Sequence, residues 1–330
     1  MGKIMYVMGK NGLVFTLIAI TTMVVFIILF TPQFDIFLQK DTQAVRTRIG
    51  SIDNYVDDIE NRYIENALGS ATYRTILSMI YYVNATGLYI NNLDSSFNEI
   101  ILNSTINMVS IDSVTGKKLM EGYTLTNWSG KIIKVSKDTL NVNTTINLSN
   151  VAVFQTDAWH IKSTLNYSFK VESGVAKWEK HNLTATAEIS IEGLYDPYYL
   201  ANTNGLYANT IKKSSLLFNQ WNTEKVREQL RDGIYFHWQD SEAPSFLMRL
   251  TNTISNSPCC GIESFVNPNK VSPSDRIESY VDYVFWRHTF SDCSRLYNIN
   301  LLSPQFPNFK LDLDRVVRYN IGENDAAKNC

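Results

Sequence analysis

The stretch LVFTLIAITTMVVFIILF, from Leu13 to Phe30, decides how the rest of this chain is interpreted. It contains no charged residue, and its only polar residues are threonines. As a helix it would be about 27 Å long, close to the roughly 30 Å of hydrocarbon in a bilayer. The run therefore predicts a transmembrane helix over residues 13–31, and no later stretch of the chain is comparably apolar.

The charges on either side of this run predict its orientation. Lys3 and Lys10 precede it, and the first charge after it is Asp35. Because positively charged flanks stay inside the cell, segment 1–12 is predicted to be cytoplasmic and the remainder extracytoplasmic. A cleaved signal peptide and a buried core helix are the alternatives. The first would need a small-residue cleavage site, which Thr31–Phe34 does not offer.

Segment 32–90 is predicted to be a helical stalk. Proline at position 32 predicts a kink or break at its start, because proline removes a backbone donor and clashes with the preceding turn. The apolar seam of the stalk is shorter than the three or four heptads that indicate a coiled coil, so packing against the chain's own head is favoured. The seam has steps of three and four residues: Val45, Ile49, Ile52, Val56, Ile59 and Tyr63.

Segment 91–200 is predicted to be a β-rich head. Apolar and polar residues alternate over Trp159–Val171 and again over Leu183–Ile191, which is typical of half-buried strands. A further strand precedes them over residues 142–148. These three strands predict an antiparallel sheet with one face in the core and the other in solvent.

The connection between the last two strands predicts a β-bulge. A two-residue turn at Ser173–Gly174 would set Leu165 opposite Asn182, an apolar residue against a polar one. One extra residue in the second strand restores Leu165 opposite Leu183. We therefore predict a bulge between Trp178 and Asn182 that keeps Trp178 on the inner face. A three-residue turn, which would expose Trp178, is the alternative.

Segment 201–330 is predicted to be a C-terminal α+β part that carries the disulfides. The overall prediction is an α+β fold: an N-terminal transmembrane helix and helical stalk, followed by an extracytoplasmic head with an antiparallel β-sheet. Helices outside the stalk are predicted over Leu93–Leu102, Thr126–Lys137, Thr223–Arg231 and Ala243–Leu250, and a short strand over Ile234–Trp238.

Seven N-x-[ST] sequons lie within about one hundred residues, and none follows. Their clustering, and the position of four of them on the polar faces of the predicted strands, favours a glycosylated surface. The glycosylation candidates are Asn84, Asn103, Asn127, Asn143, Asn147, Asn166 and Asn182.

All four cysteines fall in the last quarter of the chain, at Cys259, Cys260, Cys293 and Cys330. Their spacing matches no zinc or redox motif, so disulfides in an oxidising compartment are favoured. A bond between adjacent cysteines strains its geometry. We therefore predict that Cys293 pairs with Cys259 or Cys260, while Cys330 bonds the remaining one or another subunit.

Composition and motifs argue against several functions. A formal net charge of −2, with no basic stripe, makes nucleic acid an improbable partner. The chain contains no nucleophile elbow, zinc-protease motif, phosphate-binding loop or EF-hand. We therefore predict no catalytic residue, cofactor or metal site, and no enzymatic activity.

The basic lead that ends at Lys10-Asn11-Gly12, the apolar helix after the glycine and the asparagine-rich β head resemble archaeal type IV pilin-like surface proteins. The phrases GLYDPYYL (193–200), APSFLMRL (243–250) and GIESFV (261–266) resemble segments of membrane-anchored archaeal proteins. Leu13 and Leu17 occupy the positions where prepilins carry polar and acidic residues. The resemblance implies a surface or filament-associated role, with assembly through the apolar helix.

These observations predict a single-pass, membrane-anchored structural or adhesive protein of the cell surface, such as a minor pilin-like filament component. Its expected partners are the membrane and other filament subunits, contacted through the N-terminal helix. An extracytoplasmic hydrolase is one alternative. A ligand-binding module that acts with a membrane partner is the other, because twelve cytoplasmic residues cannot transmit a signal alone.

Overall fold

The computed structural model describes residues 10–174, 176–239, 242–271, 278–287, 295–322 and 324–328. The α-helices are α1 (Lys10–Asp58), α2 (Ile64–Thr86), α3 (Leu93–Asn103), α4 (Ile111–Thr115), α5 (Leu125–Leu140), α6 (Pro197–Asn202), α7 (Thr223–Asp232), α8 (Phe246–Leu250), α9 (Asp282–Arg287) and α10 (Leu313–Arg318). The strands are β1 (Thr105–Ile106), β2 (Val109–Ser110), β3 (Asn143–Phe154), β4 (His160–Glu172), β5 (Lys177–Ser190), β6 (Leu296–Ile299), β7 (Lys310–Asp312) and β8 (Ala326–Lys328).

Helix α1 corrects two predictions. It continues through position 32, so the predicted interruption at Pro32 is wrong. The transmembrane helix of the predicted fold class is also wrong: within the described residues, no helix combines the length and the apolarity needed to cross a membrane.

A single π-helical turn, Ile59–Tyr63, joins α1 to α2. The predicted apolar seam enters the head only from Ile52 onward, where Ile52, Val56 and Ile59 are buried, whereas Val45 is 42% exposed. Packing of this part against the chain's own head is thus confirmed. Helix α2 ends before Gly87, whose φ of 68° supplies the left-handed cap predicted there.

The head is a three-stranded antiparallel sheet, β3–β4–β5, covered on one face by α2, α3 and α5. Burial alternates residue by residue along β4, as the sequence predicts. The inner face also carries a polar contact, because Thr72 of α2 and Ser163 of β4 are buried with their hydroxyl oxygens 2.7 Å apart. The antiparallel sheet and its inward face are therefore confirmed.

The predicted β-bulge is also confirmed. Tyr167 pairs with Leu183 but Phe169 pairs with Lys180, so β5 has one extra residue between Lys180 and Leu183. Trp178 is half-buried and packs against the core. The predicted register is wrong by two residues, since Leu165 faces Ala185. A shift of two preserves the faces of the strand, which is why the inward set was still correct.

The C-terminal part contains another three-stranded antiparallel sheet, ordered β7–β6–β8, and short helices around an aromatic core. The ring centroid of Trp221 lies 4.7 Å from that of Phe236 and 4.9 Å from that of Tyr319. The strand predicted over Ile234–Trp238 does not form. Phe236 and its neighbour Tyr235 make only isolated bridges.

Candidate functional sites

The first candidate is the exposed apolar surface of α1, defined as residues 17–27. Its large side chains are about half to two-thirds exposed. Because successive residues of a helix are about 100° apart, they surround the helix on every side. The hydroxyls of Thr21 and Thr22 bond to carbonyl oxygens one turn earlier, so neither presents a free hydroxyl donor. The exposed apolar residues are Leu17, Ile18, Ile20, Met23, Val24, Val25, Phe26 and Ile27.

The second candidate is a groove between the end of α1 and helix α5, which we call the stalk groove. Its volume is about 500 Å³, within the range of about 300–1,000 Å³ usual for small-molecule sites. It is lined by Ser51, Asn54, Tyr55, Asp58, Tyr63, Trp128, Lys131, Ile132, Val135, Thr139 and Leu140.

Local structure explains why these two helices leave a groove. Asp58 and Tyr63 lie at the two ends of the π-helical turn, which changes the direction of the side chains that follow it. Such turns recur at functional sites. Helix α5 begins at Thr124, whose hydroxyl accepts a hydrogen bond from Asn127 N–H at 3.1 Å. The cap places Trp128 in the first turn of α5, at the edge of the groove.

The two charged side chains of the groove already have partners. Lys131 donates to the carbonyl oxygen of Gly122 at 2.8 Å, and its ammonium lies 4.4 Å from the ring centroid of Trp128. Asp58 forms an ion pair of 3.4 Å with Arg62. The groove therefore combines aromatic faces and neutral hydrogen-bonding groups with little uncompensated charge.

A third cluster is wholly buried. Arg249 Nη1 lies 2.6 Å from Asp196 Oδ2 and 2.8 Å from Asp282 Oδ2, and all three side chains are fully buried. Asp282 also accepts from the hydroxyl of Ser264 at 2.9 Å. Asp196 accepts from the phenol of Tyr235 at the same distance. We call Asp196–Arg249–Asp282 the buried triad. Asp196 and Arg249 lie in the phrases at 193–200 and 243–250, and Ser264 lies in the phrase at 261–266.

The triad has one carboxylate more than its single cation can balance. Burial raises the pKa of the Asp282 carboxyl to about 6, although the adjacent Arg249 guanidinium acts to lower it. The two carboxylates, in turn, hold the pKa of Arg249 well above its ordinary value despite burial. With no exposed atom among the three side chains, the triad cannot contact a ligand from solvent, and its role is to hold the C-terminal core together.

A neighbouring buried group extends this polar core. Glu263 Oε1 accepts from Trp238 Nε1 at 2.9 Å and from the Tyr319 hydroxyl at 2.6 Å. Arg315 lies 3.6 Å from the other oxygen of Glu263 and 3.5 Å from Asp312. The phenol of Tyr283 also accepts a hydrogen bond from Arg315. The aromatic residues around Glu263 thus serve as hydrogen-bond donors as well as packing groups.

The sequon asparagines do not form a cluster with either candidate site, but they share one property. All seven are exposed: Asn84, Asn103, Asn127, Asn143, Asn147, Asn166 and Asn182. The last four extend from the solvent side of the sheet, where Asn166 and Asn182 belong to adjacent strands. Exposure permits glycosylation, which stays a prediction.

The cysteine prediction is wrong for the adjacent pair. Cys259 and Cys260 are bonded to each other, with their Cα atoms 3.7 Å apart. The turn that begins at Ser257 brings them together, because the Cys260 and Gly261 N–H groups both donate to the Ser257 carbonyl. Neither is then left to pair with Cys293. Cys293 and Cys330 lie outside the described residues.

Neither the stalk groove nor the buried triad is indicated by the sequence alone. The groove is made by side chains more than sixty residues apart, so no local pattern indicates it. Asp196 and Arg249 lie in phrases that resemble segments of other proteins, but nothing in those phrases indicates that their charges are buried. Within the part of the chain that the structure describes, no three His, Cys, Asp or Glu side chains are placed to hold a metal ion.

Comparisons with known protein families, with curated proteins and with solved structures found no match. The fold and the two accessible candidate sites therefore define this chain as an α+β protein with an N-terminal helical arm.

Proposed function

We propose that this chain is an extracytoplasmic structural or adhesive protein that assembles with copies of itself through α1. The observation that carries the proposal is the exposed apolar surface of α1, residues 17–27, which the chain's own head leaves uncovered. A helix that is apolar on every side needs surroundings that cover it on every side. Several parallel copies of the same helix supply such surroundings.

The free energy gained by burying the apolar surface of α1 is large enough to drive assembly. Covering eight half-exposed large apolar side chains would contribute on the order of 10 kcal/mol per chain, before the entropy of association is subtracted. Helix α1 is 49 residues long, about 74 Å, and most of it precedes Ile52, the first buried side chain among those of α1 that the structure describes. Its length lets several helices bundle while the heads remain outside the bundle.

The extracytoplasmic location rests on two further features. The disulfide Cys259–Cys260 is of a kind that persists in oxidising compartments. The seven sequons are all exposed, as glycan acceptors must be. Both features support a location outside the cytoplasm, where structural and adhesive surface proteins act.

The assembly is tested with two charge substitutions in one chain, Ile20→Glu and Val24→Glu, which face one side of the apolar surface. We expect the full chain to form large assemblies at micromolar concentration by light scattering and electron microscopy, and the double variant to be monomeric. Leu206→Glu, at a position 92% exposed in the C-terminal part, is the matched control and should assemble normally.

A second experiment tests the rival explanation, that α1 binds lipid and not other copies of the chain. Vesicles of neutral phospholipid are added to both proteins and sedimented. A wild-type chain that stays monomeric in buffer would contradict the proposal. A chain that binds vesicles without associating with other copies would also contradict it, and would make lipid the partner of α1. Equal assembly of the double variant and wild type would contradict it as well.

A further inference from the structure

We infer that the stalk groove binds a neutral saccharide. The groove lies beyond the exposed apolar surface of α1 along the chain, and this inference does not depend on the assembly proposed above. It assigns a ligand to a surface that structural assembly alone leaves without a role.

The aromatic side chains of the groove supply the faces on which the apolar side of a sugar ring rests. Tyr63 is 42% exposed, and its ring centroid lies 6.5 Å from that of Tyr55, with the two rings inclined by 50°. Trp128 is half-buried on the opposite helix. Aromatic rings that combine an apolar body with a polar tip suit ligands that carry both characters.

These rings are held in place before any ligand arrives. The hydroxyl oxygen of Tyr55 lies 3.3 Å from that of Thr144 on β3. Trp128 packs edge-on against Tyr123 with centroids 6.3 Å apart, and Lys131 rests on both rings. A preorganised site spends less of its binding energy on ordering side chains.

The polar groups of the groove match hydroxyls, which both donate and accept hydrogen bonds. The Asn54 amide offers a donor and an acceptor, is exposed, and has no hydrogen-bond partner in the described part of the chain. Asp58 supplies carboxylate oxygens on the same helix face, one turn later. The hydroxyls of Ser51 and Thr139 donate to backbone carbonyls and keep acceptor capacity.

The charges of the groove favour a neutral ligand. Asp58 is balanced by Arg62, and the ammonium of Lys131 is engaged by Gly122 and by aromatic faces. An anion would have to draw Lys131 away from these contacts, and a cation would compete with Arg62. A hydroxyl-rich neutral ring requires neither change. The volume of about 500 Å³ accommodates a short oligosaccharide.

The test is calorimetric titration of the full chain with four neutral trisaccharides: maltotriose, cellotriose, mannotriose and chitotriose. A triuronic acid serves as the charged comparison. We expect at least one neutral probe to bind with a Kd of about 1 mM or tighter, which corresponds to roughly 4 kcal/mol, and the triuronic acid to bind at least tenfold more weakly.

Two variants locate the binding. Tyr63→Ala and Asn54→Ala should each weaken it by about tenfold, the effect of losing roughly 1.4 kcal/mol. Tyr73→Ala, which removes a tyrosine of similar exposure on α2 outside the groove, should leave it unchanged. The Ile20→Glu and Val24→Glu double variant should also bind normally, so a failure of assembly and a failure of saccharide binding remain distinguishable.

Three outcomes would overturn the inference. The first is no heat from any neutral probe at about 10 mM, tenfold above the expected Kd. The second is binding that survives both Tyr63→Ala and Asn54→Ala. The third is a preference for the triuronic acid over every neutral probe, which would assign the groove to an anion.

Discussion

The indole N–H of Trp178 on β5 donates to the Asp53 carboxylate on α1 at 2.6 Å, across 125 positions of sequence. This bond joins the helical arm to the edge of the sheet, just before the bulge that keeps Trp178 against the core. It also fixes the part of α1 that carries Asn54 and Tyr55 of the stalk groove. A pair that no local pattern connects thus adds to the packing of Ile52, Val56 and Ile59 in holding the arm against the head.

Replacing Asp53 by alanine should lower the free energy of unfolding by about 1 kcal/mol, because the indole N–H loses a charged acceptor at a partly exposed site. Urea denaturation followed by circular dichroism measures the change. Asp57→Ala, one turn later on the same exposed helix, is the matched control and should stay within about 0.5 kcal/mol of wild type. Equal effects of the two substitutions would show that the Trp178 contact contributes nothing.

Replacing Arg249 by methionine should destabilise the chain by about 3–5 kcal/mol, because two buried carboxylates lose the guanidinium that they share. The midpoint of urea denaturation measures the loss. Arg231→Met, which removes an exposed partner of Asp232, is the control and should cost less than about 1 kcal/mol. Adding Asp282→Asn to Arg249→Met should recover part of the loss, and further destabilisation by that second change would contradict the role assigned to the triad.

The excess carboxylate of the triad predicts a pH dependence of stability. The pKa of Asp282 is raised to about 6 in the folded state and is near 4 when unfolded, so the folded state binds the proton more tightly between these values. Stability contributed by this group is therefore highest below about pH 4 and falls as pH rises to about 6. Above pH 6 its contribution is constant.

Comparing wild type with Asp282→Asn separates the pH-dependent contribution of Asp282 to stability from the contributions of the other carboxylates. The difference in unfolding free energy between the two proteins, measured by urea denaturation at several pH values, should change by a few kcal/mol across the window from about pH 4 to 6. A difference that is flat across that window would show that Asp282 titrates normally.

Peptide mapping tests the surface predictions. Non-reducing digestion should yield a single peptide in which Cys259 and Cys260 are oxidised to each other, two hydrogens lighter than the reduced form. In native material the same digest should show glycans on Asn143, Asn147, Asn166 or Asn182. A mixed disulfide between Cys293 and either adjacent cysteine, or four unmodified asparagines, would contradict the respective prediction.

The sheet of the head was predictable because strand faces are set by a local alternation. The bulge followed from the same pattern, since Trp178 and Leu183, an odd number of positions apart on β5, can both face inward only if the strand contains an extra residue. The exact register was not predictable. It depends on the length of the connection between Glu172 and Lys177, the last ladder pair, and several lengths keep the same faces inward.

The stalk groove and the triad were not predictable because they depend on tertiary packing. Trp128 and Tyr63 meet across two helices, and Arg249 reaches Asp196 and Asp282 from separate segments. The disulfide prediction failed for a local reason: the usual geometry of bonds between distant cysteines disfavours an adjacent pair, whereas the turn at Ser257 brings Cys259 and Cys260 together. Hydropathy alone does not indicate that the apolar side chains of residues 17–27 are left exposed by the rest of the chain.

The most direct test of assembly through α1 measures distances between copies. Single cysteines are placed at Val24 and, as a control, at Leu206, with Cys293 and Cys330 replaced by serine, and each is spin-labelled. Helices that pack side by side have axes about 8–10 Å apart, so labels at position 24 of neighbouring copies should couple strongly, within about 20 Å. Labels at position 206 should not couple. Equal, uncoupled spectra at both positions in the assembled protein would contradict the account.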